Sequence, residues 1–160
     1  MLKLTKKADY GLIAMKHLAE CTVSDTGLEA PAGCCSAKDL ADSYGLPQEA
    51  LAKILQRLVK AGLLVSQYGT NGGYTLSRDA REITAFQVIE AIEGPLFVTS
   101  CVSVRGECEQ STKCTVREPL RKVSAGIVDV LNRITIYDMA TDRAQEEKAV
   151  ELVNIEPALS

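Results

Sequence analysis

Apolar residues recur at helical spacing through most of the chain, and the interruptions mark where one element gives way to the next. Leu12, Ala14, Met15, Leu18 and Ala19 predict a first helix from about Thr5 to Glu20, with Thr5 as its N-cap. Residues Thr22–Cys35 are rich in Gly, Ser, Thr and Pro and read as a loop. Ser36-Ala-Lys-Asp39 has the form of a capping box, opening a short helix that stops at Tyr44-Gly45. Pro47 then suits the first position of a third helix running to about Ala61. In that helix Leu51, Ile54, Leu55 and Leu58 make one apolar face, and Lys53, Gln56, Arg57 and Lys60 line the other. Two strand-like runs follow, Leu63–Tyr68 and Tyr74–Leu76, around Gly69-Thr-Asn-Gly-Gly73, where Asn-Gly signals a hairpin. Helix, turn, helix and hairpin in that order predict a winged helix-turn-helix.

A fourth helix is expected over about Thr84 to Glu93, closed by Gly94-Pro95. After a polar stretch, Thr115-Val-Arg-Glu118 reads as a capping box for a long helix to about Arg133, with Pro119 in its first turn. Val116, Leu120, Val123, Ile127, Val130 and Ile134 repeat in steps of four and three. That is a heptad seam, and a seam needs a partner helix. The chain offers no second long helix of that pattern, so the expected partner is the same helix of another copy. Thr135–Ala140 adds one more turn or two. The division expected is a DNA-binding domain over 1–93, a cysteine loop over 94–114, a dimerisation helix region over 115–140 and a charged, frayed tail over 141–160. The fold class is mainly α with a small β-hairpin wing.

Composition sharpens the picture mainly by exclusion. Hydrophobic residues make 46% and charged residues 24% of the chain, ordinary for a soluble globular protein. No apolar stretch approaches the length needed to span a bilayer, and Met-Leu-Lys-Leu-Thr-Lys-Lys lacks a signal peptide's apolar run, so a cytoplasmic protein without membrane contact is expected. Net charge is −3, and the excess acid all falls after residue 90. DNA binding would therefore rest on a local basic face of the third helix, with Gln48 near its start and Tyr68 on the wing, and not on the global field. A basic helix face alone is commonly just a solvated surface. The preceding short helix and the Gly-rich wing favour a reader: a helix fits the major groove, and Lys and Arg neutralise phosphates.

The chain's chemistry lies in its cysteines. Cys101, Cys108 and Cys114 place three thiols in fourteen residues of a polar stretch. Structural disulfides are rare in the cytoplasm, so a shared metal outranks a disulfide framework. Cys114 gains weight from its place just before a helix N-terminus, where the dipole favours a thiolate. A closed zinc or iron–sulfur site takes four ligands, so the loop is one short. Cys21, Cys34 and Cys35 read as free thiols, and His17, the only histidine, as a packing residue. No nucleophile elbow, phosphate loop or His-assisted nucleophile is present, so the chain is not expected to be an enzyme.

Leu4-Thr-Lys-Lys-Ala-Asp-Tyr10, the helix Leu51-Ala-Lys-Ile-Leu-Gln-Arg-Leu58, Gly72-Gly-Tyr74 and the three-cysteine loop together resemble the IscR/NsrR family of bacterial regulators over roughly residues 2–140. The resemblance implies a winged-helix dimer on double-stranded operator DNA, with an iron–sulfur cluster in the cysteine loop controlling its affinity. One branch of the family draws a histidine ligand from three residues past the last cysteine, where this chain has Arg117, which stays protonated and cannot ligate iron. The other branch uses an aspartate of the first helix from the second subunit, and Asp9 matches it. The ligand set implied is Cys101, Cys108, Cys114 and Asp9, with 4Fe–4S favoured over 2Fe–2S. The wing departs from the family in carrying Tyr68 where a basic residue is common. The opening residues resemble regulators of cluster assembly, which makes that gene set the expected target. A nitric-oxide or redox-sensing repressor is the alternative within the family. An electron-transfer or accessory iron–sulfur protein would explain the cysteines but not the basic helix and wing. A DNA-binding protein whose cysteines form a zinc site or thiol switch would explain both.

Overall fold

The computed structural model describes residues 4–23, 35–70, 72–96 and 113–141. Within them the chain forms α1 (Lys6–Val23), α2 (Ala37–Tyr44), α3 (Gln48–Lys60), β1 (Leu64–Gln67), β2 (Gly73–Leu76), a 3₁₀ turn (Ala80–Glu82), α4 (Ala85–Glu93), α5 (Arg117–Arg133) and α6 (Ile136–Ala140). Mostly helical, with one two-stranded antiparallel hairpin, it has the expected fold class.

Local chemistry sets most of the boundaries. Ser36 caps α2 reciprocally with Asp39, and Gly45, at φ 61°, ends it in the left-handed conformation. Thr84 and Gln87 form a second capping box on α4. Pro47 sits one position before α3, and its carbonyl accepts from the Leu51 N–H at 3.0 Å. The sheet pairs Leu64 with Leu76 and Gln67 with Gly73. Five residues therefore join the strands, as many as the stretch Gly69–Gly73 suggested, but one position earlier. Gly69 turns that connection at φ 123°, and the Gly72 N–H closes it onto the Gly69 carbonyl at 3.0 Å. Gly72 must be glycine, since a Cβ there would stand 2.6 Å from the Gln67 carbonyl oxygen.

Two other expectations are corrected. First, α1 continues to Val23, so Thr22 and Val23 lie in its last turn and not in a loop. Second, the Thr115–Glu118 capping box does not form. Val116 occupies the cap without a side-chain bond, because the Glu118 carboxylate instead takes the Arg121 guanidinium at 3.0 and 2.7 Å. That bond holds the Glu118 carboxyl below its ordinary range.

One core joins α1, α2, α3 and α4, built on Met15, Leu18, Leu40, Leu51, Leu55 and Val88. α6 contributes to it as well. Ile136 is fully buried, and α6 packs on α1 and the 3₁₀ turn. Its entry is clipped to the start of α4 by two backbone bonds of 2.8 Å, Ala85 N–H to the Ile134 carbonyl and Ile136 N–H to the Ile83 carbonyl. The guanidinium of Arg81 lies 3.9 Å above the Tyr137 ring. α6 is thus a separate helix returned to the N-terminal core, not an extra turn of α5. By contrast, α5 is held mainly by α4, and Ser124 is its only buried residue.

Gly11 lets α1 and α4 approach closely, for a Cβ there would overlap Ile92 Cδ1. Gly11→Ala would gain about 1 kcal/mol of helix propensity against an overpacking cost of about 1–3 kcal/mol. A net loss near 1 kcal/mol is expected from denaturant unfolding. An increase in stability would show that Ile92 repacks without cost.

Candidate nucleic-acid interface and cysteine site

α3 exposes what the periodicity assigned to solvent and buries what it assigned to the core. Leu51, Ile54, Leu55 and Leu58 are buried, while Gln48, Lys53, Gln56, Arg57 and Lys60 are exposed. The wing brings Tyr68 beside this face at 96% exposure. An almost wholly exposed aromatic side chain loses apolar contact unless something covers it.

The expected DNA-contacting residues divide between two grooves. Gln56 and Tyr68 line one of 480 Å³ between α3 and the wing, together with Lys60 and Tyr74. Lys53 and Arg57 line another of 380 Å³ on the far side, with Lys7 and Glu49. Lys7 was not among the expected contacts. The signal for it was its nearness to the start of α1, but only the packing of α1 on α3 shows which charge it joins. Gln48, the first residue of α3, is exposed and lines neither groove.

Arg57 also has a partner inside the chain. Its Nη1 donates to the Ile92 carbonyl oxygen at 2.7 Å, filling an acceptor that the last turn of α4 leaves open. Next to it, Glu93 Oε1 accepts from the Thr5 N–H at 2.9 Å and from the Thr5 hydroxyl at 2.6 Å. Thr5 therefore spends its hydroxyl on Glu93. Three bonds anchor the C-terminus of α4, one from α3 and two from the start of α1, just ahead of the cysteine stretch.

Of the proposed cluster ligands, Cys101 and Cys108 lie outside the described residues. Cys114 is half-buried three residues ahead of α5, not directly before its N-terminus as expected, because the helix starts only at Arg117. Asp9 is exposed in the first turn of α1, with its N–H donating to the Thr5 carbonyl at 3.2 Å. Three thiolates are soft anionic donors that suit iron, and a carboxylate is a harder, weaker anionic fourth. On α5 the seam is open in the single chain: Val116 is 58%, Val123 50% and Val130 38% exposed, with Leu120, Ile127 and Ile134 half-buried. Among the described residues no helix is long and apolar enough to cross a membrane.

Comparison with known proteins agrees with this architecture. The family model described as Rrf2, iron-dependent transcriptional regulator, matches residues 4–142. The HTH-type transcriptional regulator IscR of Vibrio parahaemolyticus is 32% identical over 141 residues, covering 88% of this chain and 79% of that protein. The IscR of Escherichia coli O1:K1 / APEC is 30% identical over 142 residues, covering 89% and 82%. Among solved structures, CymR, the global cysteine regulator of B. subtilis, superposes with a TM-score of 0.68 at 30% identity over 88% of this chain and 98% of that one. T. potens IscR superposes with a TM-score of 0.67 at 31% identity over 91% of each. A winged helix, a three-cysteine stretch and a matching family model over nearly the whole described chain lead to one conclusion: the protein belongs to the Rrf2 family of iron-dependent, DNA-binding transcriptional regulators.

Proposed function

We propose that this regulator acts as a homodimer on operator DNA, reading it with α3 and the wing under the control of an iron–sulfur cluster. The observation that carries the reading is the face of α3. A row of Lys and Gln side chains stands exposed on a fully buried leucine backing, with an uncovered tyrosine on the wing beside it. Lys53 and Lys7 would meet phosphates, and Gln56 has the donor–acceptor pair that reads adenine. Cys101, Cys108 and Cys114 would hold the cluster, with Asp9 of the partner subunit as fourth ligand, and the resemblance to family members that use such an aspartate favours 4Fe–4S. When bound, such a cluster supplies a centre that responds to redox change or small reactive molecules. The gene set proposed is iron–sulfur cluster assembly, which the resemblance of the opening residues Met1–Tyr10 to regulators of that system favours.

The route from loop to DNA runs through the end of α4. Arg57 holds the Ile92 carbonyl and Thr5 holds Glu93, so a change in the cysteine stretch pulls on α3 and on the turn that carries Asp9. Arg57 thereby positions the reader as well as adding charge to it.

Lys53→Ala is expected to lower the salt dependence of operator binding by about one unit of slope without altering stability, and loss of a base contact at Gln56 to cost about 1–3 kcal/mol of specificity. Arg57→Ala should weaken binding and also narrow the affinity difference between cluster-loaded and cluster-free protein. The decisive measurement is anaerobic purification followed by DNA binding before and after cluster removal. Brown protein whose operator affinity changes on removal is expected. Colourless, zinc-containing protein, or equal affinity in both states, would overturn the reading.

A further inference from the structure

The last two turns of α1 carry chemistry that the cysteine stretch does not use. His17 and Cys21 are four residues apart and so share one face of the helix. Cys35 reaches that face from the segment entering α2. The three donor atoms all lie within 4.8 Å of one another. The Cys21 and Cys35 sulfurs are 3.8 Å apart, well beyond the ~2.05 Å of a disulfide bond. It is, however, the separation of two thiolates on one tetrahedral metal: with zinc–sulfur bonds of about 2.3 Å, the tetrahedral edge is about 3.8 Å.

The surroundings hold these donors in place. The Tyr44 hydroxyl lies 3.1 Å from His17 Nδ1, and the two rings meet edge to face with centroids 5.5 Å apart. An oriented imidazole with an outer hydrogen-bond partner is the arrangement that metal-ligating histidines use. The backbone of Cys35 is pinned to the wing strand by two bonds, Cys35 N–H to the Tyr74 carbonyl at 3.3 Å and Tyr74 N–H to the Cys35 carbonyl at 2.9 Å. The neighbouring residue, Ser36, is the N-cap of α2.

We propose that His17, Cys21 and Cys35 form a second metal site, separate from the loop cysteines, that takes a thiophilic d¹⁰ cation of the zinc type and clamps the end of α1 to the segment entering α2. Two sulfurs and one imidazole nitrogen fill three positions of a tetrahedron, and water completes it. Binding displaces the thiol protons, so it strengthens as pH rises. Since Cys35 is bonded to β2 and adjoins the cap of α2, the metal would stiffen the wing and helix-turn-helix against α1.

The test uses the full chain with Cys101, Cys108 and Cys114 all replaced by serine, reduced with a phosphine and titrated with Co²⁺, a spectroscopic stand-in for zinc. One cobalt per chain is expected, with thiolate-to-metal charge-transfer and tetrahedral d–d bands that Zn²⁺ abolishes. Cys21→Ser or Cys35→Ser in that background should weaken affinity more than about 100-fold, the upper range for losing a mere supporting contact. His17→Ala should shift the d–d bands. A folded chain that shows no bands, or whose bands survive Cys21→Ser, overturns the proposal. Should the triple variant not fold, zinc content decides it: wild-type protein must hold one more zinc per chain than Cys21→Ser, and equal content overturns it.

Discussion

Serine in place of Cys101, Cys108 or Cys114, one at a time, is expected to abolish stable iron and sulfide binding. The stretch has too few donors to spare one, and a serine hydroxyl is a harder and far less acidic donor than a thiol. Serine at Cys21, Cys34 or Cys35 should leave iron and sulfide unchanged, because the described members of that set meet His17 at the far end of α1. Asp9→Ala is expected to give an intermediate result, a dimer with a labile cluster and with DNA affinity no longer following its state. Asp9 is exposed on the first turn of α1, so its loss removes no packing that could account for such a change. Iron and sulfide analysis of anaerobically purified variants is the check. A fully loaded Cys108→Ser protein would remove the loop from the assignment.

Val123→Asp or Ile127→Asp is expected to yield monomers. In the single chain the stripe from Val116 to Ile134 is open on a helix that packs mainly against α4, so neither substitution disturbs the N-terminal core. Across a helix–helix seam, by contrast, an unpaired carboxylate would be buried at a cost of several kcal/mol. Sedimentation at several concentrations measures it, and a variant that remains dimeric would place the contact between copies elsewhere. Because Asp9 is proposed to cross between subunits, the same variants should lose cluster stability along with the dimer.

Much of this was legible in the residues. The two faces of α3, the capping box at Ser36 and the apolar stripe of α5 depend only on side-chain type and helical period, which act within a few residues. Of the departures, one is a local competition and two have non-local causes. Thr115 and Glu118 have the right types for a cap, but Arg121 competes for the carboxylate and wins with two hydrogen bonds. Arg57 reads as a free surface charge because its partner is a backbone carbonyl, which leaves no mark in sequence. α6 looked like a continuation of α5, yet burying Ile136 against α1 turns the chain back.

His17, Cys21 and Cys35 show the limit most sharply. The four-residue step from His17 to Cys21 could be read from the sequence once α1 was known to continue to Val23. Cys35 could not, since it is brought in by its backbone bonds to Tyr74, in a different element. Periodicity determines which face of an element meets water. Which distant elements then share a ligand set depends on how those faces pack, and that is settled by the whole core at once.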